Sequence, residues 1–164
     1  MNAVVFPLIV FLSFQLRAQV VEFDYCDQIT PAINYLEDEG LRLKIDSKLR
    51  NGWSYSSFAA EYIAFKLDIK PDESYEDGYL EKSKYYWTQI ENNDSFNDVR
   101  NIVCDHKAFN NRNPNTIFSK LDEETLLVHI TTKRTGKEGS SGLMYLFFFE
   151  KNSIVNVLKT SWIS

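Results

Sequence analysis

The sequence predicts an α+β domain, with N-terminal helices packed on a C-terminal antiparallel β-meander of three to four strands. Two observations lead there. Apolar residues recur at helical spacing through most of the chain before residue 110, while the segments after it alternate or run apolar between turn residues. In addition, "LMYLFFFE" carries an unbroken apolar run, Leu143 to Phe149, that stops at Glu150 and a two-residue turn candidate, Lys151-Asn152.

The chain opens with an apolar stretch, Ala3 to Phe14, about as long as the core of a signal peptide and too short to span a bilayer comfortably. Ala18 supplies a small residue at a cut point. Residues 1–18 are therefore expected to be a signal peptide and 19–164 a single domain, exported to a periplasm or secreted. No later stretch is long and apolar enough to predict a membrane span. In an oxidising compartment the two cysteines, Cys26 and Cys104, are expected to form a disulfide.

Eighteen basic residues against 23 acidic ones give a net charge of −5. Only "DSKLRNGW" is locally basic, and its three charges make no patch in the sequence. Nucleic acid and anionic membrane surfaces are thus not expected as partners.

In "TPAINYLEDEG", Thr30 reads as an N-cap, Pro31 as the first helical position and Gly40 as a stop signal. The following "LRLKID" is readable as a short strand. Leu41, Ile45 and Leu49 also recur every four residues, and continuation of the helix to about Leu49 is the expectation. "SYSSFAAEYIAFKL" predicts a second helix with Phe58, Tyr62 and Phe65 on one face, ended before Pro71. "SYEDGYLEKSKYYWTQIE" predicts a third, with Tyr79, Tyr86 and Ile90 in register. Tyr79, Tyr85, Tyr86 and Trp87 cannot all face one core, so at least one ring is expected at the surface. "DSFNDVRNIVCDHKAF" predicts a fourth, opening at Asp94 or Ser95 with Phe96, Val99 and Val103 as its buried stripe and Ile102 beside it. After the loop "NNRNPN" come strands "TLLVHITTKR", "LMYLFFFE" and "SIVNVLKTSWI", with "TIFSKLD" as a further short strand in front.

A Lys151-Asn152 turn places Glu150 opposite Ser153, Phe148 opposite Val155 and Phe147 opposite Asn156. One face then carries Val128, Ile130, Leu146, Phe148, Val155 and Val157, all apolar. The other carries His129, Tyr145, Phe147, Phe149, Asn156 and Leu158. Left in water, that second face would be a large apolar patch, so something must cover it. The occupants compatible with it are another segment of the chain, a partner or second copy of the chain (a homodimer), or a small ligand. His129, Tyr145, Phe147 and Asn156 are the candidate ligand-binding residues.

Other chemistry finds little footing. Cys104 and His106 are two residues apart, which on a helix separates them, and oxidation would remove the thiol. The two histidines and two cysteines have no metal-ligand spacing, and the acidic run Asp68 to Gly78 lacks the alternation of a calcium loop. No Gly-rich phosphate loop is present, so no metal or cofactor is expected. The function expected is an exported binding or interaction module without catalysis, using the aromatic and polar sheet face or the Tyr85–Trp87 region. The alternative is a small enzyme of hydrolase or lyase type, with a pocket on that face and His129 as general base.

Overall fold

A computed structural model describes residues 25–69, 79–93, 99–109, 112–135 and 139–164. The expected signal peptide, all but the first two residues of the acidic run Asp68 to Gly78, and the Asp94 or Ser95 start of the expected fourth helix with Phe96 lie outside them. Helix α1 spans Cys26–Asp38, α2 Ala59–Lys66 after a 3-10 turn at Tyr55–Phe58, and α3 Tyr79–Asn93. The strands are β1 (Ile45–Asn51), β2 (Val99–Asn101), β3 (Thr116–Lys120), β4 (Thr125–Thr135), β5 (Gly139–Glu150) and β6 (Ser153–Ile163). They form one six-stranded sheet in the order β2-β1-β3-β4-β5-β6. All neighbours are antiparallel except β1 and β3, which run parallel.

The α+β class therefore holds, with two corrections. The sheet is mixed and has six strands rather than three to four. The helices are also not all N-terminal to the strands, because β1 precedes α2 and α3.

Helix α1 begins before Thr30, because the Tyr25 carbonyl already accepts the N–H groups of Gln28 (3.2 Å) and Ile29 (2.9 Å). It stops where Gly40 takes φ +79°, a left-handed conformation that glycine adopts without steric cost. The Gly40 N–H then bonds the Glu37 carbonyl (2.9 Å) and the Leu41 N–H bonds that of Leu36 (3.1 Å). That pair of bonds is the Schellman closure. It ends the expected continuation to Leu49, and the chain turns into β1. Four-residue spacing puts Ile45 and Leu49 on one face of a helix, and an even spacing does the same for a strand. It could not separate the two.

The expected fourth helix is also replaced. Within its described part, β2 pairs with β1, Leu49 opposite Arg100, and the Ile102 N–H bonds Ser47 O at 2.7 Å. Ile102 is 8% exposed and Val103 90%. That inside–outside alternation is strand-like, and it reverses the expected stripe. The chain is held there by the Cys26–Cys104 disulfide, with Cα atoms 5.5 Å apart across 78 residues of sequence. Closing a loop of that length restricts the unfolded chain by about 4–5 kcal/mol in the entropic model.

The apolar run in β5 is explained by cover on both faces. Tyr145, Phe147 and Phe149 pack with Phe118, Leu126, Val128 and Ile130 against Ile29, Ala32, Ile33 and Leu36 of α1. Met144, Leu146 and Phe148 pack with Leu127 against Tyr55, Phe58, Tyr62, Ile63 and Ile90 of the other helices. The turn forms as expected: Lys151 and Asn152 both take positive φ, 46° and 70°, and Glu150 pairs with Ser153. Beyond Phe149–Ile154, however, a bulge shifts the register, so that Phe148 faces Asn156, Phe147 faces Val157 and Leu146 faces Leu158. Val155 is the unpaired residue and is 47% exposed.

Because both faces are core, Phe147→Ala and Phe148→Ala should each lower stability by about 3–5 kcal/mol. Urea unfolding is the check; a near-neutral effect at either position would mean that its face is open.

Candidate functional site

The four residues expected to form a site are not brought together. Tyr145 and Phe147 lie under α1, where the Tyr35 ring meets Phe147 edge-on at 5.4 Å. His129 pairs with Met144 and Asn156 with Phe148, so both belong to the opposite face. The thickness of the sheet separates the pairs. The bulge at Val155 moves Asn156 across, whereas His129 is moved by the β4–β5 register, which puts Val128 and Ile130 on the side of Tyr145 and Phe147 instead of the expected side of Leu146 and Phe148. Asn156 is exposed, and its side-chain oxygen accepts the Val157 N–H at 2.8 Å.

His129 sits between two indoles, stacked on Trp162 at 4.4 Å and tilted against Trp53 at 4.9 Å. Trp162 reaches it across Gly142, where a Cβ would collide with the Ile130 carbonyl and the indole nitrogen. Burial pushes the His129 pKa below its ordinary value. Among the described residues its Nδ1 has no hydrogen-bond partner and no carboxylate forms a salt bridge with it, so they do not supply the carboxylate that would orient a base. Two rings of α3 do stand at the surface, Tyr85 at 60% and Trp87 at 43% exposure.

A polar constellation that the sequence did not point to forms at the carboxyl ends of the parallel strands β1 and β3. A cavity of about 160 Å³ is lined there by Tyr25, Leu49, Arg50, Asn51, Arg100, Lys120 and the β3–β4 turn, Leu121 to Glu123. Topology assembles it: β1 brings Arg50, β2 brings Arg100 opposite Leu49, and β3 brings Lys120. Crevices beyond the carboxyl ends of parallel strands are common ligand sites in open sheets.

The side chains are tied to each other. Arg100 Nη1 donates to the Tyr25 hydroxyl at 2.7 Å. The Lys120 ammonium lies 5.5 Å from the centre of the Tyr25 ring and donates to Gln28 Oε1, while Gln28 Nε2 donates to the Glu123 carbonyl at 2.6 Å. Arg50 pairs with Asp46 at 3.5 Å. The disulfide joins Cys26, next to Tyr25, to Cys104, just beyond β2, so it fixes both flanks of the cavity.

Lys120 is 6% exposed, and burial lowers its pKa to about 8, against the opposing charges of Asp122 and Glu123. Asp122 turns its carboxylate toward the helices on the other face. It accepts from the Tyr62 hydroxyl at 2.7 Å and the Thr125 hydroxyl at 2.9 Å, and it pairs with Lys66 at 2.7 Å. Burial alone would raise the Asp122 pKa; the bonds from Lys66, Tyr62 and Thr125 and the Lys66 charge outweigh it and hold the carboxyl low. That carboxylate is consumed by the fold. Arg100 differs: it is exposed, and no carboxylate among the described residues forms a salt bridge with it.

One signal for Lys120 was present in the sequence. Phe118 points into the core, so Lys120, two residues on, shares its face. A lysine in line with a core residue is unusual on a strand. Arg100 and Tyr25 gave no such signal, because only the sheet order makes them neighbours.

No group of three or more potential metal ligands occurs among the described residues, and no helix among them is long and apolar enough to cross a membrane. Comparison with protein-family models, with curated proteins and with solved structures finds no match.

The Lys120 proton leaves near pH 8 in the folded chain and near 10.5 in the unfolded one. Between those values the unfolded chain binds more protons, so the Lys120 contribution to stability rises with pH across that window. Urea unfolding at pH 7.5 and 9.5 should show wild type gaining on Lys120→Met at the higher pH. A constant difference would place the Lys120 amine in water.

Proposed function

We propose that the protein is an exported binding module without catalytic function, whose ligand is a small organic anion held in the cavity at the carboxyl ends of β1 and β3. Export is supported by the Cys26–Cys104 disulfide together with the signal-peptide pattern of residues 1–18. One observation carries the binding reading. Among the described residues Arg100 donates to a tyrosine hydroxyl and forms no salt bridge, which leaves donors of its planar fork for a ligand in the lining it shares with Lys120.

Size and charge narrow the ligand. A cavity of about 160 Å³ is smaller than the roughly 300–1,000 Å³ typical of drug-sized sites, so it suits a molecule of few heavy atoms. In the lining Arg50 is paired with Asp46 and Asp122 with Lys66, whereas Arg100 is an exposed cation with no salt bridge among the described residues. A carboxylate or phosphate matches that guanidinium, whereas a free cation would not.

Thermal unfolding with acetate, malonate, succinate and phosphate, each against potassium chloride at matched ionic strength, is the test. At least one anion should raise the melting temperature in proportion to the logarithm of its concentration. Arg100→Ala, an exposed substitution, should weaken that anion about 10- to 100-fold, the worth of a hydrogen bond to a charged group. Equal shifts with chloride, or an unchanged response in the variant, would refute the reading.

A further inference from the structure

We infer that Lys120 captures its ligand covalently, forming an imine with a small carbonyl compound that also bears a carboxylate, such as a 2-oxo acid or an aldehyde acid. This rests on the anion-binding reading of the same cavity and specifies its ligand class.

Geometry is the first support. Lys120 is buried at 6% exposure, yet it is one of the residues that line the cavity, which sets it apart from the solvent-facing lysines. Its Nζ is positioned from the protein side by Gln28 Oε1, and Gln28 is in turn fixed to the Glu123 carbonyl at 2.6 Å. Gln28 is itself 2% exposed, so the group that orients the amine is enclosed by protein. Arg100, donating to Tyr25 at 2.7 Å, stands in the same lining to receive the carboxylate. One cavity thus offers an anion clamp and a primary amine, which together match a molecule with both an anionic end and an electrophilic carbon.

Reactivity is the second support. Only the neutral amine is a nucleophile, and desolvation raises its share. With a pKa of about 8 instead of 10.5, Lys120 at pH 7 holds a neutral fraction on the order of 100-fold greater than an ordinary lysine. Other buried polar groups do not compete for this role. Tyr55 and Tyr62 have pKa values pushed up by burial and are tied to Thr125 and Asp122, and His129 is enclosed by indoles.

The step balances without an oxidant or cofactor. The Lys120 lone pair forms a C–N bond as the carbonyl π bond breaks, and the oxygen takes up one amine proton to give a carbinolamine. The C–O bond then breaks and the oxygen leaves as water with the second amine proton, while nitrogen and carbon form the C=N double bond. No redox change occurs, and hydrolysis by one water reverses the step.

Glyoxylate, which carries an aldehyde beside a carboxylate, is the probe. The full chain is incubated with it at pH 7 in the presence of cyanoborohydride, which reduces an imine to a stable secondary amine, and the adduct is located by peptide mass spectrometry. Labelling at Lys120 should exceed that at the exposed lysines, such as Lys159, by at least tenfold. It should fall when acetate competes, and propanal, which lacks the carboxylate, should label Lys120 less. Lys120→Arg, confirmed folded by circular dichroism, should lose the preferred adduct. Even labelling over all lysines would overturn the proposal. If anions raise the melting temperature but Lys120 is not labelled, the covalent step alone fails; if no anion does so, the binding reading fails with it.

Discussion

Strand β5 is the constraint from which the rest of the architecture follows. From Leu143 to Phe149 it carries only aliphatic and aromatic side chains, the Tyr145 hydroxyl being the one polar group, and successive residues point to opposite faces. Both faces must therefore be dry. The chain supplies two separate covers, α1 on the side of Tyr145, Phe147 and Phe149, and the Tyr55–Lys66 and α3 segments on the side of Leu146 and Phe148. Sheets buried on both sides generally carry such continuous apolar strands. An aromatic layer on each side makes β5 the shared wall of two cores.

Covering both faces also places the cavity. The start of α1 lies over the end of β3, where Gln28 reaches Lys120 and the Glu123 carbonyl. Strand β1 runs parallel to β3, which brings their carboxyl ends to the same edge of the sheet, and β2 adds Arg100 beside them. The disulfide then holds the start of α1 to the segment after β2. Cationic side chains from residues 50, 100 and 120 converge although the chain as a whole is acidic. On the opposite side of the same turn, Asp122 anchors Tyr62, Lys66 and Thr125, so two polar networks with different jobs share one loop.

Much of the helix and strand content was legible, and the failures have specific physical causes. The helix over Ala59–Lys66, the helix ending in Asn93 and the hairpin turn at Lys151-Asn152 follow from periodicity and turn chemistry. The stretch from Leu41 to Leu49 misled because a spacing of four fits both periods. The segment around Ile102 misled because its pairing with β1 and its disulfide are long-range and outweigh local propensity. The expected site failed at two points. In β4, Val128 lies opposite Tyr145 and His129 opposite Met144, one residue from the expected facing, because Leu143 to Phe149 is apolar at both parities and selects no register. In "SIVNVLKTSWI" apolar residues occupy both parities, so nothing in the pattern marks Val155 as a bulge, and one extra residue reverses the facing of everything after it. Apart from the placement of Lys120 two residues after Phe118, the cavity left no signal in the sequence for another reason: its cations are far apart along the chain, and only the sheet order makes them neighbours.

Hydroxyl-radical footprinting tests the two-sided burial of β5 most directly, because it reads side-chain access residue by residue. Tyr145, Phe147, Phe148 and Phe149 should all be protected alike, with Tyr85 and Trp87 of α3 strongly modified in the same sample as exposed references. Alternating protection along β5, with Phe148 modified while Phe147 and Phe149 are spared or the reverse, would contradict a sheet covered on both faces.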